Sequence, residues 1–275
     1  VISGLPEPKS AAALPCWVDL TTSQGNRARD FYQRLFGWTF EANGTIGMVD
    51  GSPVCGLLEL EDKAELVPSH WFPYFLMESF ERLADTPPAE GELLWGPEAY
   101  GDALASVATV VDPGGAGFGL WEPGRLRGFM TGQTSCPAWF ELVTPSSAQV
   151  ARFYCGLFDC IPDTIAGTRG PYRVFTRPGV MLAGVVVADV KPYWRVYFEV
   201  ENLSESVEQA ERLDATRLAE TLDLPIGRTT LLRDPVGALF GLIEPTREPR
   251  ISSAPSASAN ATDDDNAGFP VTLSL

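Results

Sequence analysis

Residues 17–38 read WVDLTTSQGNRARDFYQRLFGW, and residues 139–160 read WFELVTPSSAQVARFYCGLFDC. At a constant offset of 122 positions, Trp17 aligns with Trp139, Asp19 with Glu141 and Leu20 with Leu142. Phe31-Tyr32 aligns with Phe153-Tyr154 and Leu35-Phe36 with Leu157-Phe158 at that offset. The match returns at WFPYFL (71–76) against WRVYFE (194–199), now at offset 123. It returns again at DPGGAGFGLWEP (112–123) against DPVGALFGLIEP (234–245), back at 122. Three collinear matches make the chain two copies of one module, and a repeat has to be recognised before any single motif is read. The modules are expected at 14–124 and 136–247, with an N-terminal extension at 1–13, a linker at 125–135 and a small, polar, acidic tail at 248–275 that reads as disordered.

Each half-module carries the same coarse pattern. Residues 17–22 alternate and favour strand. Ser23 is read as the N-cap of a following helix, and Gly37 ends it. Between them Ala28, Phe31, Tyr32, Leu35 and Phe36 fall on one helical face. Short strands are expected near 38–41, 47–50 and 54–60. A second unit opens with a strand at 71–77, then a short helix near 79–85 and strands near 106–111 and 117–121. In the second module the corresponding helix runs over 203–213. Strand, helix and several further strands predict an α+β sheet with helices on one face and a cleft on the other.

The chain of 275 residues holds 20 Lys and Arg against 36 Asp and Glu, a net charge of −16. That argues against sequence-independent nucleic-acid binding and against an anionic membrane surface. No apolar run reaches the roughly 20 residues of a membrane span, and residues 1–13 do not read as a secretory signal. Five cysteines without a CxxC pair read as reduced thiols of a cytoplasmic protein. Eleven acidic residues between 59 and 102 read mainly as a solvated face, with a cationic ligand as the other reading. A single histidine, His70, cannot build a site on two or three imidazoles. It follows Pro68-Ser69 and reads as a surface or capping residue.

The ordered set W-x-[DE]-L-x-T, FYxxLFGW, W-x-x-YF and DPxGAxFxL, present twice over about 220 residues, resembles the vicinal oxygen chelate superfamily of glyoxalases, bleomycin-resistance proteins and extradiol dioxygenases. The resemblance implies tandem βαβββ units that form two cupped mixed sheets, with helices on the outer face and a small molecule bound in the cup. It also implies metal ligands at three positions per module. Those positions hold Trp17, Phe72 and Gly119 in the first module and Trp139, Arg195 and Gly241 in the second. None is a normal hard-metal ligand, so the expectation is no metal and no other cofactor.

Strand parity says what lines the cups instead, because residues i and i+2 share a face. Trp17 brings Asp19 and Trp139 brings Glu141; Phe72 brings Tyr74, and Arg195 brings Tyr197 and Glu199; Gly119 brings Trp121, and Gly241 leaves space. Asp19, Glu141, Tyr74 and Tyr197 are the candidate catalytic residues. Trp17, Phe72, Trp121, Trp139, Arg195, Glu199, Gly119 and Gly241 are the candidate ligand-binding residues. A plain packing role stands beside each of these. The tryptophans can be core plugs, the carboxylates can be satisfied by backbone N–H groups or by Arg195, and the tyrosines can simply pack. The shared Asp-Pro pair (112–113 and 234–235) reads as a turn determinant.

Two functions fit. One is a metal-independent isomerase, cyclase or lyase of secondary metabolism, in which a carboxylate raised by a neighbouring tryptophan works on a hydrophobic or aromatic carbonyl compound. The other resembles the bleomycin-resistance proteins, which sequester an aromatic, cationic drug without chemistry. The expected partner is a small hydrophobic or aromatic ligand, with neither nucleic acid nor membrane; a homodimer is left open.

Overall fold

The computed structural model of the chain describes residues 14–60, 67–81, 91–101, 103–168 and 170–246. The first βαβββ unit is β1 (Pro15–Thr22), α1 (Gly25–Phe36), β2 (Thr39–Phe40), β3 (Ile46–Val49) and β4 (Ser52–Glu59). The second unit is β5 (His70–Leu76), β6 (Glu92–Tyr100), β7 (Ala105–Val111) and β8 (Gly117–Pro123). Together they make one eight-stranded mixed sheet in the order β2-β3-β4-β1-β5-β8-β7-β6. The two opening strands, β1 and β5, are antiparallel neighbours at its centre. Each has the last strand of its own unit, β4 or β8, as its parallel partner on the other side.

The second half of the chain repeats this plan. It runs β9 (Pro137–Thr144), α2 (Ser147–Phe158), β10 (Ile161–Gly167), β11 (Gly170–Arg177) and β12 (Val180–Val187). Then follow β13 (Tyr193–Glu199), α3 (Leu203–Arg212), β14 (Thr216–Arg217), β15 (Leu222–Leu224), β16 (Gly227–Arg233) and β17 (Leu239–Pro245). The nine strands order as β10-β11-β12-β9-β13-β17-β16-β14, with β15 added on β16. The expected α+β architecture of two mixed sheets built from βαβββ units is what the chain adopts.

The sheets meet through the faces that carry the helices. Phe75 of β5 packs on Phe140 and Trp194 of the second sheet, and Tyr32 of α1 packs on Phe198 and Phe240. Two reciprocal hydrogen bonds cross this interface. Tyr32 Oη donates to Asp234 Oδ2 (2.8 Å), and Tyr154 Oη of α2 donates to Asp112 Oδ2 (3.0 Å). Trp71 Nε1 donates to Tyr32 Oη (2.9 Å) and Trp194 Nε1 to Tyr154 Oη (3.2 Å). The other oxygen of each aspartate closes its own turn, Asp112 on the N–H groups of Gly114 and Ala116 and Asp234 on those of Val236 and Ala238. The Asp-Pro pair is therefore the expected turn determinant and also one half of a clamp between modules. Burial pushes the Asp234 carboxyl up to about 6, against the bonds from Tyr32 and the turn.

Local chemistry explains the helix ends. Gly37 stops α1 in the left-handed region at φ 72° and returns its N–H to Gln33 O; the matching position after α2 is Asp159, at φ 51°. Ser23 does not cap α1. The N-cap is Gln24, and its N–H is taken by Thr22 Oγ1 (3.1 Å), because β1 runs on through Thr22 and the turn starts one residue later. The repeated Glu-Pro at the end of each block caps the second units: Glu122 Oε2 accepts from Phe80 N and Glu244 Oε2 from Leu203 N. Strand β6 was not expected, since Gly96-Pro97 breaks its alternation. Most of the helix expected at 79–85 lies outside the described residues, as do the extension at 1–13 and the tail at 248–275. The linker stretch is strapped down: Phe129 N donates to Cys16 O, and Ser135 O accepts from Trp38 Nε1.

Candidate functional site

Each sheet uses its other face, away from the interface, to build a cluster around one carboxylate. In the first sheet the register sets Trp17 opposite Tyr74, Asp19 opposite Phe72 on one side and Gly56 on the other, and Tyr74 opposite Gly119. In the second it sets Trp139 opposite Tyr197, Glu141 between Arg195 and Gly184, and Tyr197 opposite Gly241. Period-two alternation thus brings Trp17, Asp19 and Tyr74 together in the first module and Trp139, Glu141, Arg195 and Tyr197 in the second. The glycines are required by that crowding. A Cβ at Gly119 or Gly241 would strike the ring of Tyr74 or Tyr197, and one at Gly56 or Gly184 would strike the Asp19 carboxylate or the Tyr172 hydroxyl.

Asp19 is enclosed, with 3% of its surface exposed, and every hydrogen bond it receives comes from a neutral group. Oδ1 accepts from Trp17 Nε1 (2.9 Å) and Tyr100 Oη (2.8 Å), and Oδ2 accepts from Tyr74 Oη (2.8 Å). Burial raises its pKa, and the bonds from Tyr100, Tyr74 and Trp17 offset only part of that rise. Burial and the facing carboxylate together hold both phenols far above the ordinary tyrosine range. Trp121 backs the cluster, stacked on Trp17 at 5.4 Å and close to Tyr74 and Tyr100. Phe72 stands edge-on to Tyr74 at 5.3 Å, half-buried at the rim.

Glu141 is as deeply buried, at 1% exposure, but it has a cation. Its Oε2 accepts from Tyr197 Oη (2.5 Å) and lies 3.6 Å from Arg195 Nη1. Its Oε1 accepts from Tyr172 Oη (2.6 Å), which in turn accepts from Trp139 Nε1 (2.9 Å). Arg195 is completed by the Tyr193 hydroxyl, 3.1 and 2.9 Å from Nε and Nη2. Glu199 sits at the end of β13, opposite Ile243 and beyond a register shift that follows Tyr197, and it takes no part in the hydrogen bonds of Glu141. Its charge adds to the burial that pushes the Cys136 thiol up to about 12.

Tyr100, Tyr172 and Tyr193 are absent from the candidates that the sequence offers. Tyr100 comes from the edge strand β6, and Tyr172 from β11 on the other side of its sheet's centre. Tyr100 meets Leu222 and Tyr172 meets Asp50 at offset 122, and Tyr193 meets His70 at offset 123, so the repeat could not point to them. Trp17 and Trp121, expected as plates facing a ligand, are completely enclosed, and Trp139 nearly so. They serve as the backing of the clusters. Tyr100 and Phe72 are the half-buried members of the first cluster, and Tyr193 of the second.

The residues present do not suit a hard divalent metal. At the positions where the resemblance implies ligands, two are indole rings, one is a phenyl ring and one is a guanidinium. At the two glycines the space for a ligating carboxylate is filled by the Tyr74 and Tyr197 rings. Among the described residues no three His, Cys, Asp or Glu side chains come together. Among the same residues no helix is long and apolar enough to cross a membrane.

No family model matches the chain. Over 249 residues it is 29% identical to "Putative glyoxylase CFP32" of Mycobacterium tuberculosis, covering 84% of this chain and 94% of that protein. Over 261 residues it is 30% identical to "Anthracycline biosynthesis protein DnrV" of Streptomyces peucetius, covering 85% of this chain and 94% of that protein. Among solved structures, the 2,3-dioxygenase LapB from Pseudomonas sp. KL28 superposes with a TM-score of 0.63 at 12% identity, covering 90% of this chain and 96% of that one. At that identity the likeness is one of fold.

Proposed function

The chain belongs to the vicinal oxygen chelate superfamily, and from that premise we propose a tailoring enzyme that works without a metal and uses the Asp19 cluster for acid–base chemistry. The supporting observation is the contrast in charge. Asp19 is a buried carboxylate held by three neutral donors, with its pKa raised, whereas Glu141 is neutralised by Arg195. A buried carboxylate without a counter-charge is costly, and such groups concentrate where a proton has to be held or passed.

Tyr100 is the end of this relay that faces the substrate. Each phenol has one proton, and in the ionised state both protons are committed to Asp19. As the substrate's α C–H bond breaks, its proton passes to Tyr100 Oη while the Tyr100 proton passes to Asp19 Oδ1 and the electron pair stays on the substrate; the Asp19 acid then donates to Tyr100 Oη, which leaves the Tyr100 O–H for the enolate oxygen. A hydrogen bond delivered there stabilises the enol or enolate of an isomerisation, cyclisation or elimination. The second cluster, with its carboxylate locked to Arg195, is the silent copy. Relatives named for anthracycline biosynthesis support a substrate class of hydrophobic, polycyclic aromatic ketones.

The test is exchange of α-protons of an anthracycline-type ketone in D2O, followed by NMR, with tryptophan quenching as the binding readout. Wild type should accelerate exchange. Asp19→Asn and Tyr100→Phe should lose about 100-fold or more of it while still binding. Binding without any exchange in the wild type would leave the sequestering protein as the function. Full exchange in Asp19→Asn would remove Asp19 from the chemistry.

A further inference from the structure

The five cysteines divide into three buried thiols and one pair. Cys16, Cys55 and Cys136 are all buried, and burial pushes each of their thiols up. Cys155 and Cys160 behave differently. Cys155 sits in the last turn of α2, and Cys160 stands just past Asp159, whose left-handed backbone turns the chain back toward the helix. Their sulfurs lie 3.1 Å apart, with Cys160 Sγ as the donor. Cys155 is partly exposed and Cys160 is buried.

We propose that Cys155 and Cys160 form a peroxide-sensitive dithiol, with Cys155 as the attacking sulfur and Cys160 as the resolving one. The Cys155 thiolate attacks one oxygen of a hydroperoxide. The O–O bond breaks, the departing oxygen leaves as water or alcohol, and Cys155 becomes a sulfenic acid. Cys160 Sγ then attacks the Cys155 sulfur, the S–S bond forms and a second water leaves. Two thiols are oxidised and one peroxide is reduced. The surroundings favour this order. The hydrogen bond from Cys160 lowers the Cys155 pKa, and the same bond raises that of Cys160. Arg177 of β11 supplies positive charge beside the pair. The bond would fix the end of α2 one residue beyond Tyr154, the donor of the clamp to Asp112.

The test treats the full chain with hydrogen peroxide and follows thiol count and mass. Two of five thiols should disappear with a loss of about 2 Da, all within the tryptic peptide 153–169, and a dithiol reductant should restore both. Cys160→Ser should stop at a sulfenic acid on Cys155 that dimedone traps, and Cys155→Ser should leave Cys160 reduced. Both variants are conservative, and thermal melts alongside wild type check that they fold. Uniform oxidation of all five thiols would overturn the proposal. So would faster loss of the other three, or a Cys160→Ser protein that gives no trapped sulfenic acid.

Discussion

The two clusters share a carboxylate, a tryptophan and two phenols, and they differ most in the residue opposite the carboxylate. Opposite the carboxylate, the first has Phe72 and the second Arg195. Enclosing a carboxylate in aromatic side chains leaves its charge unmatched, and the residue across the strand supplies or withholds the counter-charge. With a guanidinium there, the charge is matched inside the cluster. With a phenyl ring there, the fold bears the cost of burying the charge, and Asp19 is left prone to take a proton.

Removing the cation from the second cluster should have the largest effect. Arg195→Met leaves Glu141 buried without a counter-charge and should cost about 3–5 kcal/mol in urea unfolding. Adding Glu141→Gln to that variant should recover much of the loss, since no charge is then left unmatched. If Arg195→Met costs as little as a surface change, the claimed difference between the clusters is gone.

The clamps offer the next comparison. The carboxyl of Asp234 titrates at about 6 in the folded chain, against about 4 for an unfolded aspartate. Between those values the native state keeps a proton that the unfolded state has lost. Stability is therefore fullest below pH 4 and falls as pH rises toward 6, by about 3 kcal/mol. Asp234→Asn should flatten that slope in denaturant melts taken from pH 4 to 7.

Asp19→Asn should change stability at pH 7 by only about 1 kcal/mol and in the favourable direction, because it removes an unmatched buried charge. Its folded pKa is raised, so its contribution also declines as pH climbs, and the variant should lose that part of the slope. Glu141→Gln alone should go the other way and destabilise, since it strands Arg195. Equal signs for the two variants would break the comparison.

The smallest effect concerns the helix ends. Asp159→Gly should stabilise by about 0.5–1 kcal/mol, because Asp159 holds the left-handed conformation that Gly37 adopts without strain after α1. Thermal melts would show it. No gain would mean that the two turns are not equivalent.

The repeat tells more about the interface than about the site. Its three blocks carry Tyr32 and Tyr154, Trp71 and Trp194, and Asp112 and Asp234, which are the members of the two cross-module clamps. Residues that hold two copies of a module together must match in both copies, because each copy presents one half of each clamp. The second phenol of each cluster obeys no such rule. Tyr100 and Tyr172 reach their carboxylates from different strands, so comparing the modules could not reveal them.

The duplication, the α+β βαβββ plan and the pairing of Trp17 with Asp19 and of Trp139 with Glu141 are legible along the chain, because strand alternation is a local, period-two property. Tyr74 and Tyr197 are legible with them, since their strands belong to the repeated blocks. The enclosure of the tryptophans, the completion of the clusters by Tyr100 and Tyr172, and the contact of Cys155 with Cys160 arise in the folded chain alone. Those contacts join segments through the packing and register of whole elements, or through one left-handed residue at a helix end, and no periodicity along the chain records them.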